Sequence, residues 1–395
     1  MSWPIVELRT VCSKVSVGHV GKTSEFYTDE SGIPFLRTQN VSKSGLNMED
    51  VLYVTRDFHE KLKKSQLLPG DIVLSRVIST QINSAVIPDN FGTANCANII
   101  LVRPIKEKLD SDFLNHYLRS ETVQMSLLKR QVGSAQSVVN TGVMKSWEIP
   151  LPPLHEQKRI AAILDKADAI RRKRQQAIQL ADDFLRSVFL DMFGDPVTNP
   201  KGWEVKALKD IARIQIGPFG TQLHQKDYIE NGIPLINPTH IKNGHILAKN
   251  DFTISEEKHS TLSEYHLEIG DIIMGRRGEM GRCAVVTEKQ AGWLCGTGSL
   301  FIRPHNTGVF SEYLNKLLSS RAIKNHLESE SQGATMPNLN KTIVGNIQIP
   351  VPSDEVLQKF TVFRHKLLKA MSSSINFNDQ PLLESLGQKA FAGEL

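Results

Sequence analysis

The hydrophobic pattern of the chain predicts a long helix that begins directly after a proline-rich stretch. Residues 147–150 form a short apolar run that is typical of a strand, and the prolines at 150, 152 and 153 end a sheet there, because proline donates no backbone hydrogen bond. Beyond them, apolar or small side chains recur at three- and four-residue steps, which predicts a helix with a coiled-coil partner. These positions, with one charged interruption, are Ile160, Ile163, Ala167, Ile170, Arg174, Ala177, Ala181, Phe184 and Val188.

The same transition occurs again near the end of the sequence. The run IPVP at 349–352 is followed by a second seam in four-three steps, and a shorter helical stretch, 382–392, comes after it. This seam consists of Val356, Phe360, Phe363, Leu367 and Ala370. The chain is therefore predicted to contain two long helices whose seams pack against each other.

A fixed offset of 200 residues aligns identical residues along nearly the whole chain, which indicates a tandem duplication. Because this period is far longer than the roughly 20 to 50 residues of solenoid repeats, each half is expected to be a domain with its own core. The matched residues include Trp3 and Trp203, Gly70 and Gly270, Asp71 and Asp271, Arg76 and Arg276, Arg103 and Arg303, Asn140 and Asn340, and Ile149 and Ile349.

Within each half the pattern predicts a mixed α/β domain. Short apolar runs bounded by turn residues predict buried strands, and one longer amphipathic stretch per half predicts a helix. The strands are predicted at 72–74, 99–102, 272–274 and 300–302, and the helices at 111–131 and 311–330.

The polar loops between these landmarks do not repeat. Residues 75–97 have almost nothing in common with residues 275–297, and residues 37–45 differ from residues 237–245. A repeated framework that carries different arginine, glutamine, asparagine, threonine and histidine side chains is suited to reading two different ligands of the same chemical kind.

The composition is that of an ordinary globular protein. The 395 residues are enough for two domains, with 40% hydrophobic and 23% charged residues. Because there is neither an apolar run of about 18 residues nor a signal-peptide core, a cytoplasmic protein is expected. The four cysteines form no CxxC pair, which indicates neither a zinc site nor a disulfide framework. The net charge of +5 permits a polyanionic partner without requiring one.

A search for catalytic motifs finds none that would support covalent chemistry. The string GKT at 21–23 imitates a phosphate loop, but the first glycine of that motif is missing and no strand precedes it. The glycines at 275, 278 and 281 are interleaved with charges that suit a hairpin tip better than a dinucleotide turn. The charge run RRKR at 171–174 fits the solvated face of a helix as well as a nucleic-acid patch.

Several strings together resemble the specificity subunit of bacterial type I restriction-modification systems. They are GIPFLRTQNV, LLPGDIVLSR, IPLPPLHEQKRIAAILDKADAI and the closing QKAFAGEL, on a duplicated chain, and the match covers essentially the full length. The second copy departs from the pattern, because PVPSDEVLQKF lacks the PPL and EQ of the first.

The resemblance implies a fold class, partners and a division of the chain. The fold would be α/β, with two tandem target recognition domains separated by spacer helices that pack antiparallel as a coiled coil. The domains would be residues 1–154 and 196–352, and the spacer helices residues 155–195 and 353–395. The subunit would bind double-stranded DNA and recruit two methyltransferase subunits and, for cleavage, translocase-nuclease subunits.

The mechanism implied by this arrangement is the reading of a bipartite, asymmetric DNA target. Arginine would contact guanine, and asparagine or glutamine would contact adenine, while other basic side chains would hold phosphates. Candidates in the first domain are Arg37, Gln39, Asn40, Arg76, Gln81, Asn83 and Gln136. Candidates in the second domain are Thr221, Gln222, Asn237, Thr239, His240, Arg276, Arg277 and Arg282. Arg76 and Arg276 are shared by both halves, which favours a phosphate or scaffold role for them.

The chain itself is expected to be non-catalytic, without a cofactor or metal. S-adenosylmethionine would be bound by the methyltransferase partner, which would flip an adenine out of the duplex. The residues expected to bind the partner subunits are His155, Gln157, Ile160, Ile163, Phe360 and Phe363.

Two alternatives remain open from the sequence. A fused methyltransferase or nuclease would need roughly 200 further residues for a catalytic domain. A scaffold that binds proteins rather than DNA would fail to bind any duplex, even with a methyltransferase present.

Overall fold

The computed structural model describes residues 3–76, 81–129, 139–248, 252–278, 281–306, 308–330, 339–374 and 380–395. The elements before residue 194 are β1 (Ile5–Glu7), α1 (Leu8–Val11), β2 (Cys12–Val17), β3 (Tyr27–Thr28), β4 (Ile33–Leu36), β5 (Val41–Ser42), β6 (Gly45–Leu46), β7 (Leu52–Val54), α2 (Arg56–Lys61), β8 (Gln66–Leu67), β9 (Ile72–Ser75), β10 (Ser84–Val86), β11 (Ala94–Cys96), β12 (Ile99–Pro104), α3 (Ser111–Arg119), α4 (Glu121–Lys129), α5 (Thr141–Lys145), β13 (Glu148–Pro150) and α6 (Leu154–Phe193).

The elements after residue 194 repeat this order with small differences. They are β14 (Glu204–Ala207), α7 (Leu208–Ile211), β15 (Ala212–Ile216), β16 (Tyr228–Ile229), β17 (Ile233–Ile236), β18 (Ile241–Lys242), β19 (His245–Ile246), β20 (Thr253–Ile254), α8 (Glu256–Ser260), β21 (Ile272–Gly275), β22 (Cys283–Val285), β23 (Leu294–Cys295), β24 (Ser299–Pro304), α9 (Val309–Leu318), α10 (Arg321–Glu330), α11 (Lys341–Gly345), β25 (Gln348–Val351), α12 (Asp354–Ser374) and α13 (Gln380–Ala392).

The chain forms two compact units, and the first combines two stretches that are distant in sequence. The first unit contains residues 1–176 and 376–395, and the second contains residues 177–375. The central helix α6 therefore contributes its first part to one unit and its last part to the other. The division into recognition domains 1–154 and 196–352 and spacer helices 155–195 and 353–395 stays a prediction.

The main sheet of each unit has the same strand order. In the first unit it runs β10-β9-β12-β2, and in the second it runs β22-β21-β24-β15, with every neighbouring pair antiparallel. The second sheet runs β3-β7-β4-β11-β8 in the first unit and β16-β20-β17-β23 in the second. Strands β4 and β11 are parallel, as are β17 and β23. The four predicted strands are confirmed as β9, β12, β21 and β24.

Each main sheet is buried on both faces, which explains its continuous apolar strands. Because side chains alternate along a strand, Ile72 and Leu74 of β9 face the helical core, while Val73 faces the core shared with the second sheet. In β21, Ile272 and Met274 face the helical core and Ile273 faces the opposite side. Each unit is therefore a helical layer, a central sheet and a second sheet.

The long predicted helices over 111–131 and 311–330 are wrong as single helices. Ser120 has extended backbone and separates α3 from α4, and its hydroxyl donates to the Tyr117 carbonyl at 2.7 Å. In the second unit α9 ends before Ser319, whose hydroxyl donates to the Asn315 carbonyl. Serine hydroxyls that bond nearby carbonyls compete with helix continuation, which the apolar periodicity does not register. Residues 130 and 131 lie outside the described residues.

The end of a helix closes each unit by packing onto its helical core. In the second unit, Phe189 and Phe193 of α6 stand around Tyr313 and Phe360, with ring centroids 4.7 to 5.6 Å apart. In the first unit, Phe391 of α13 packs edge-on against Phe113 at 5.7 Å.

Two tryptophans donate hydrogen bonds to these helix ends. Trp3 donates from its indole to the Ala390 carbonyl at 3.3 Å, and Trp203 donates to the Phe193 carbonyl at 3.0 Å. The tryptophan at the start of each half therefore holds the end of a helix, which lies 387 residues after Trp3 and 10 residues before Trp203.

Within the second unit α6 and α12 run antiparallel. The ring centroids of Phe184 and Phe363 are 5.7 Å apart, and those of Phe189 and Phe360 are 5.6 Å apart. Because the later residue of α6 contacts the earlier residue of α12, the two helices run in opposite directions.

The predicted seam departs from the structure around the middle of α6. Ile170 is 44% exposed, whereas Asp168 beside it is 7% exposed and accepts two hydrogen bonds from Arg171. Farther along, Leu185 and Phe189 are the enclosed positions, one residue after the predicted Phe184 and Val188. The reason is that the helix packs onto a domain core as well as onto another helix.

Candidate nucleic-acid interface

An arginine paired with a buried aspartate holds the turn before a central strand of each unit's main sheet. The guanidinium of Arg103 donates from Nε and Nη2 to the two carboxylate oxygens of Asp71, both at 2.7 Å, and this pairing raises the pKa of Arg103. Arg303 makes the same two bonds to Asp271 at 2.8 Å. Each arginine also donates to a backbone carbonyl, of Gln66 at 3.1 Å and of His266 at 3.0 Å. The duplicated Asp and Arg therefore fix the turn that precedes β9 and β21.

A single 3₁₀ turn after β4 presents candidate residues of the first domain. The Asn40 carboxamide accepts from the Arg37 amide at 2.9 Å and donates to the Asn47 carbonyl at 3.0 Å. Asn40 is enclosed as a result, while Gln39 at the tip of the turn is exposed. Asn40 thus holds the turn that displays Gln39, and Arg37 beside it donates to the Asp50 carbonyl at 3.3 Å.

The second domain builds the same turn with a histidine. The amide of Asn237 donates to Nδ1 of His240 at 3.2 Å, and the His240 ring lies edge-on to Phe252 at 5.2 Å. His240 is as enclosed as Asn40, and Thr239 is exposed as Gln39 is. Two different side chains therefore perform the same capping task, which removes Asn40 and His240 from the set that can reach a base edge.

The remaining described candidates of the first domain meet beside this turn. Asn83 donates to the Val41 carbonyl at 3.2 Å, its backbone amide donates to the Ser75 hydroxyl at 2.8 Å, and Gln81 donates to its carboxamide oxygen at 2.8 Å. The backbone carbonyl of Arg76 accepts from the Val139 amide at 3.2 Å. Gln136 lies outside the described residues.

The equivalent candidates of the second domain are joined through a close backbone approach. The Gly298 amide donates to the side-chain oxygen of Asn237 at 3.2 Å, and the Gly298 carbonyl accepts from the Arg276 amide at 2.9 Å. A Cβ on Gly298 would lie 2.9 Å from Pro238, so this approach requires glycine. Arg282 donates to the Pro238 carbonyl at 3.2 Å.

The shared arginine of the second domain supports the scaffold. Nε of Arg276 donates to the Leu339 carbonyl at 2.7 Å, and burial together with the neighbouring Arg277 lowers the pKa of Arg276. Arg277 itself is exposed. Gln222 accepts from the Tyr265 hydroxyl at 2.9 Å, and the side chain of Thr221 lies outside the described part of the chain.

The candidates for partner binding divide by exposure. Gln157 is fully enclosed, since its carboxamide accepts from the Asp110 amide at 2.8 Å and donates to the carbonyls of Lys108 and Pro152. Ile160 and Phe360 are equally buried within their own units. His155 is exposed and Ile163 and Phe363 are partly exposed, so these three alone could contact another protein.

The cysteines have no reactive character. Burial raises the pKa of the Cys12 and Cys96 thiols to about 12 and of Cys283 to about 11, and it also raises the pKa of Cys295. Such thiols stay protonated at neutral pH and are poor nucleophiles. Among the described residues no group of histidine, cysteine and carboxylate side chains could hold a metal, and no described helix is long and apolar enough to cross a membrane.

Sequence reasoning missed a basic segment beside the first candidate site. Lys61, Lys63 and Lys64 are exposed next to the loop that follows β2. The available signal was the repeat itself, because the second half carries no lysine at the three matched positions.

Comparison with known proteins identifies the family. The model of the type I restriction modification DNA specificity domain matches residues 2–180 and again 200–374. The chain therefore belongs to the type I restriction-modification specificity family, and it contains two target recognition domains.

Individual relatives agree with this assignment. A putative type I restriction enzyme MjaX specificity subunit of Methanocaldococcus jannaschii is 24% identical over 365 residues, which is 89% of this chain and 83% of the relative. The EcoBI specificity subunit of Escherichia coli is 23% identical and is aligned over 100% of this chain and 86% of its own length.

The fold is also found among solved structures. The crystal structure of a type I S subunit from M. genitalium has a TM-score of 0.56 at 16% identity, over 99% of this chain and 96% of that one. A chain solved in work on assembly of the type I R-M system has a TM-score of 0.51 at 17% identity, over 100% of this chain and 98% of that one. The predicted fold class is confirmed: two mixed α/β recognition domains with a long helix between them.

Proposed function

We propose that this chain is the sequence-reading subunit of a type I restriction-modification complex and that each recognition domain reads one half of a bipartite, asymmetric DNA target. The observation that carries the proposal is one scaffold built twice with different polar side chains at the same place. Gln39 and Thr239 occupy equivalent exposed tips, while the capping bond that holds each tip and the ion pair of each unit recur in both halves.

The chemistry of these tips suits direct readout in the major groove. A glutamine can make two hydrogen bonds to adenine, and an arginine such as Arg277 can make two to guanine. Preorganisation favours this reading, because the turn that carries Gln39 is held by Asn40 and requires no ordering of its own backbone on binding.

The partners follow from the family and from the lack of catalytic motifs in this sequence. Methylation and cleavage would be performed by methyltransferase and translocase-nuclease subunits, and S-adenosylmethionine would belong to the methyltransferase. His155, Ile163 and Phe363 are the candidates that are open to contact with these subunits. The helices would also set the number of unread base pairs between the half-sites.

The test is methylation mapping with variants of single tips. The chain is produced in cells with its methyltransferase subunit, and methylated adenines are mapped across the genome. Gln39→Ala should relax one half of the target and Arg277→Ala the other, each weakening discrimination by about 1–3 kcal/mol per lost base contact. Gln175→Ala, an exposed glutamine of α6, is the matched control and should leave the target unchanged.

The outcomes separate the possibilities. Absence of any sequence-specific methylation with the methyltransferase present would contradict the proposed function. Methylation by the chain alone, free of a partner, would contradict the non-catalytic role and revive a fused enzyme.

A further inference from the structure

A lysine-lined cleft lies beside the candidate site of the first recognition domain. It has a volume of about 520 Å³ and is bounded on one side by residues 17–20 and on the other by residues 61–65. Lys61, Lys63 and Lys64 are exposed along it. Within the described part of the chain, none of these three ammonium groups has a carboxylate partner.

The local sequence fixes the backbone that carries the lysines. Helix α2 ends at Lys61, and a 3₁₀ turn follows over Lys63–Ser65. The Ser65 hydroxyl donates to the Leu62 carbonyl at 3.2 Å, and the buried Asn95 side chain donates to the same carbonyl at 3.3 Å. Leu62 packs against the core around Phe58. The apolar residue therefore turns inward, while the lysines on either side of it face solvent.

The opposite wall requires a glycine and connects to the reading turn. A Cβ on Gly18 would lie 2.6 Å from the Cys96 carbonyl oxygen, so no other residue fits there. The next residue, His19, accepts at its carbonyl from the Asn98 amide at 3.1 Å, and the Asn98 carbonyl accepts from the Thr38 hydroxyl at 3.2 Å. Thr38 begins the turn that displays Gln39, so the cleft adjoins the candidate base-reading position.

His19 adds a polar group to this wall. Its ring lies edge-on to Phe58 at 5.5 Å, which fixes the ring plane. Among the described atoms, Nε2 of His19 is buried and has no hydrogen-bond partner. A ligand oxygen that entered the cleft would supply one.

The second domain reverses the charge of this segment while keeping its fold. Residues 56–65, RDFHEKLKKS, contain four basic and two acidic residues, whereas residues 256–265, EEKHSTLSEY, contain one basic and three acidic residues. Both segments form a short helix followed by a 3₁₀ turn. The one lysine of the second segment, Lys258, pairs with Asp227 at 3.4 Å. Since the fold forms without the lysines, their presence in the first domain is not a structural requirement.

We infer that Lys61, Lys63 and Lys64 bind backbone phosphates of the DNA duplex beside the half-site read by the first domain, and that the second domain has no counterpart of this anchor. This inference rests on the proposed function. Lysine is a compact point charge that neutralises a phosphate without reading sequence, and each neutralised phosphate releases condensed counterions. The anchor therefore contributes affinity and salt dependence, whereas the tips contribute specificity.

The experiment measures the salt dependence of duplex binding by the full-length chain, alone and in complex with its methyltransferase subunit. Fluorescence anisotropy is recorded with a labelled duplex that lacks the target, at several salt concentrations. The triple variant Lys61→Gln, Lys63→Gln, Lys64→Gln should reduce the magnitude of the negative slope of log K against log salt by about 3. The methylated sequence in cells should stay unchanged.

Two matched variants sharpen the result. Lys158→Gln, Lys166→Gln, Arg186→Gln removes the same charge from exposed positions of α6 and should change the slope by less than about 1. The reverse variant Thr261→Lys, Ser263→Lys, Glu264→Lys places lysines at the matched positions of the second domain and should increase the slope.

The outcomes distinguish failure of this inference from failure of the proposed function. A wild-type slope in the cleft triple variant, or an equal loss in the α6 control, would overturn the phosphate anchor while leaving DNA reading intact. Failure of the wild-type chain and its complex to bind any duplex would overturn both. Tighter binding of inorganic phosphate than of duplex, abolished by the triple variant, would also overturn the anchor and indicate a free-anion site.

Discussion

Removal of the arginine from one framework ion pair should destabilise one unit and leave the other unchanged. The substitution is Arg103→Met, which keeps much of the side-chain length and removes the charge. In the native chain the Asp71 side chain is 1% exposed and Arg103 is 25% exposed, so the carboxylate depends on this guanidinium for charge compensation. After the substitution Asp71 keeps the hydrogen bond from the Leu68 amide, at 2.7 Å, and the more distant charge of Lys14, and it loses the two hydrogen bonds from the guanidinium.

The expected loss is about 3 kcal/mol, at the lower end of the range for breaking a buried pair, because that amide bond remains. For a unit of this size, a loss of about 3 kcal/mol lowers the melting temperature by roughly 6 to 12 °C. The second unit has its own pair between Arg303 and Asp271, 2.8 Å apart, so its transition should not move. Arg303→Met should produce the mirror result.

The measurement is differential scanning calorimetry of the full-length chain, with both transitions resolved. Arg56→Met, at an exposed arginine of the first unit, is the control and should shift neither transition by more than about 0.5 kcal/mol. The double variant with Asp71→Asn should regain part of the loss, since no charge is then left buried. A loss below about 1 kcal/mol, or an equal shift of both transitions, would refute the reasoning.

Three further predictions follow from individual contacts. Gln157→Leu should destabilise the first unit by about 3 kcal/mol in calorimetry, because it removes three hydrogen bonds to backbone groups. The loss is expected even though leucine, Leu357, occupies the matched position of the second unit. An unchanged transition would show that water replaces these hydrogen bonds. Burial, and secondarily the stacked ring of His266, lowers the pKa of His259 below its ordinary 6.5. The second unit should therefore lose stability as the pH falls below about 6.5, because the unfolded state then binds the proton more readily. His259→Asn should abolish this pH dependence, and an unaltered pH profile of the variant would contradict the prediction. Seven residues inserted after Gln176, with seven added between α12 and α13, should lengthen the stretch of unread DNA between the half-sites by about 10 Å, or roughly three base pairs. Methylation maps measure this spacing. An unchanged spacing would mean that the helices do not set the distance.

Much of the architecture could be predicted because both halves of the sequence carry the same hydrophobic pattern. The strands β9 and β21 are continuous apolar runs that must be buried on both faces, and their match at a fixed offset fixes the duplication. The long helix after the prolines was predicted because its periodicity and its proline start agree, and α6 spans Leu154–Phe193.

Other features depend on contacts that no local pattern records. The hydrogen bond from Trp3 to the Ala390 carbonyl joins residues 387 positions apart, so the closing of each unit by a distant helix end could not be derived from periodicity. The breaks at Ser120 and Ser319 depend on serine hydroxyls bonding nearby carbonyls, which compete with an otherwise helical pattern.

Which of the predicted site residues stay exposed depends on contacts that the sequence does not record. Residue type alone makes Asn40 and His240 attractive base readers, yet both are consumed in holding their turns. Their exposed neighbours Gln39 and Thr239 remain candidates, because a polar residue at a turn tip and one beneath it look alike in sequence. The lysines of the cleft could not be singled out from their own segment, because only the comparison of the two halves shows that the charge of this segment is reversed.

The most direct test of the account is the exchange of one recognition domain. Residues 200–350 are replaced by the equivalent domain of a relative with a different target, and methylated adenines are mapped in cells that contain the methyltransferase subunit. One half of the target should change to that of the relative, while the other half is retained. A target in which both halves change together, or in which neither changes, would contradict independent reading by two recognition domains.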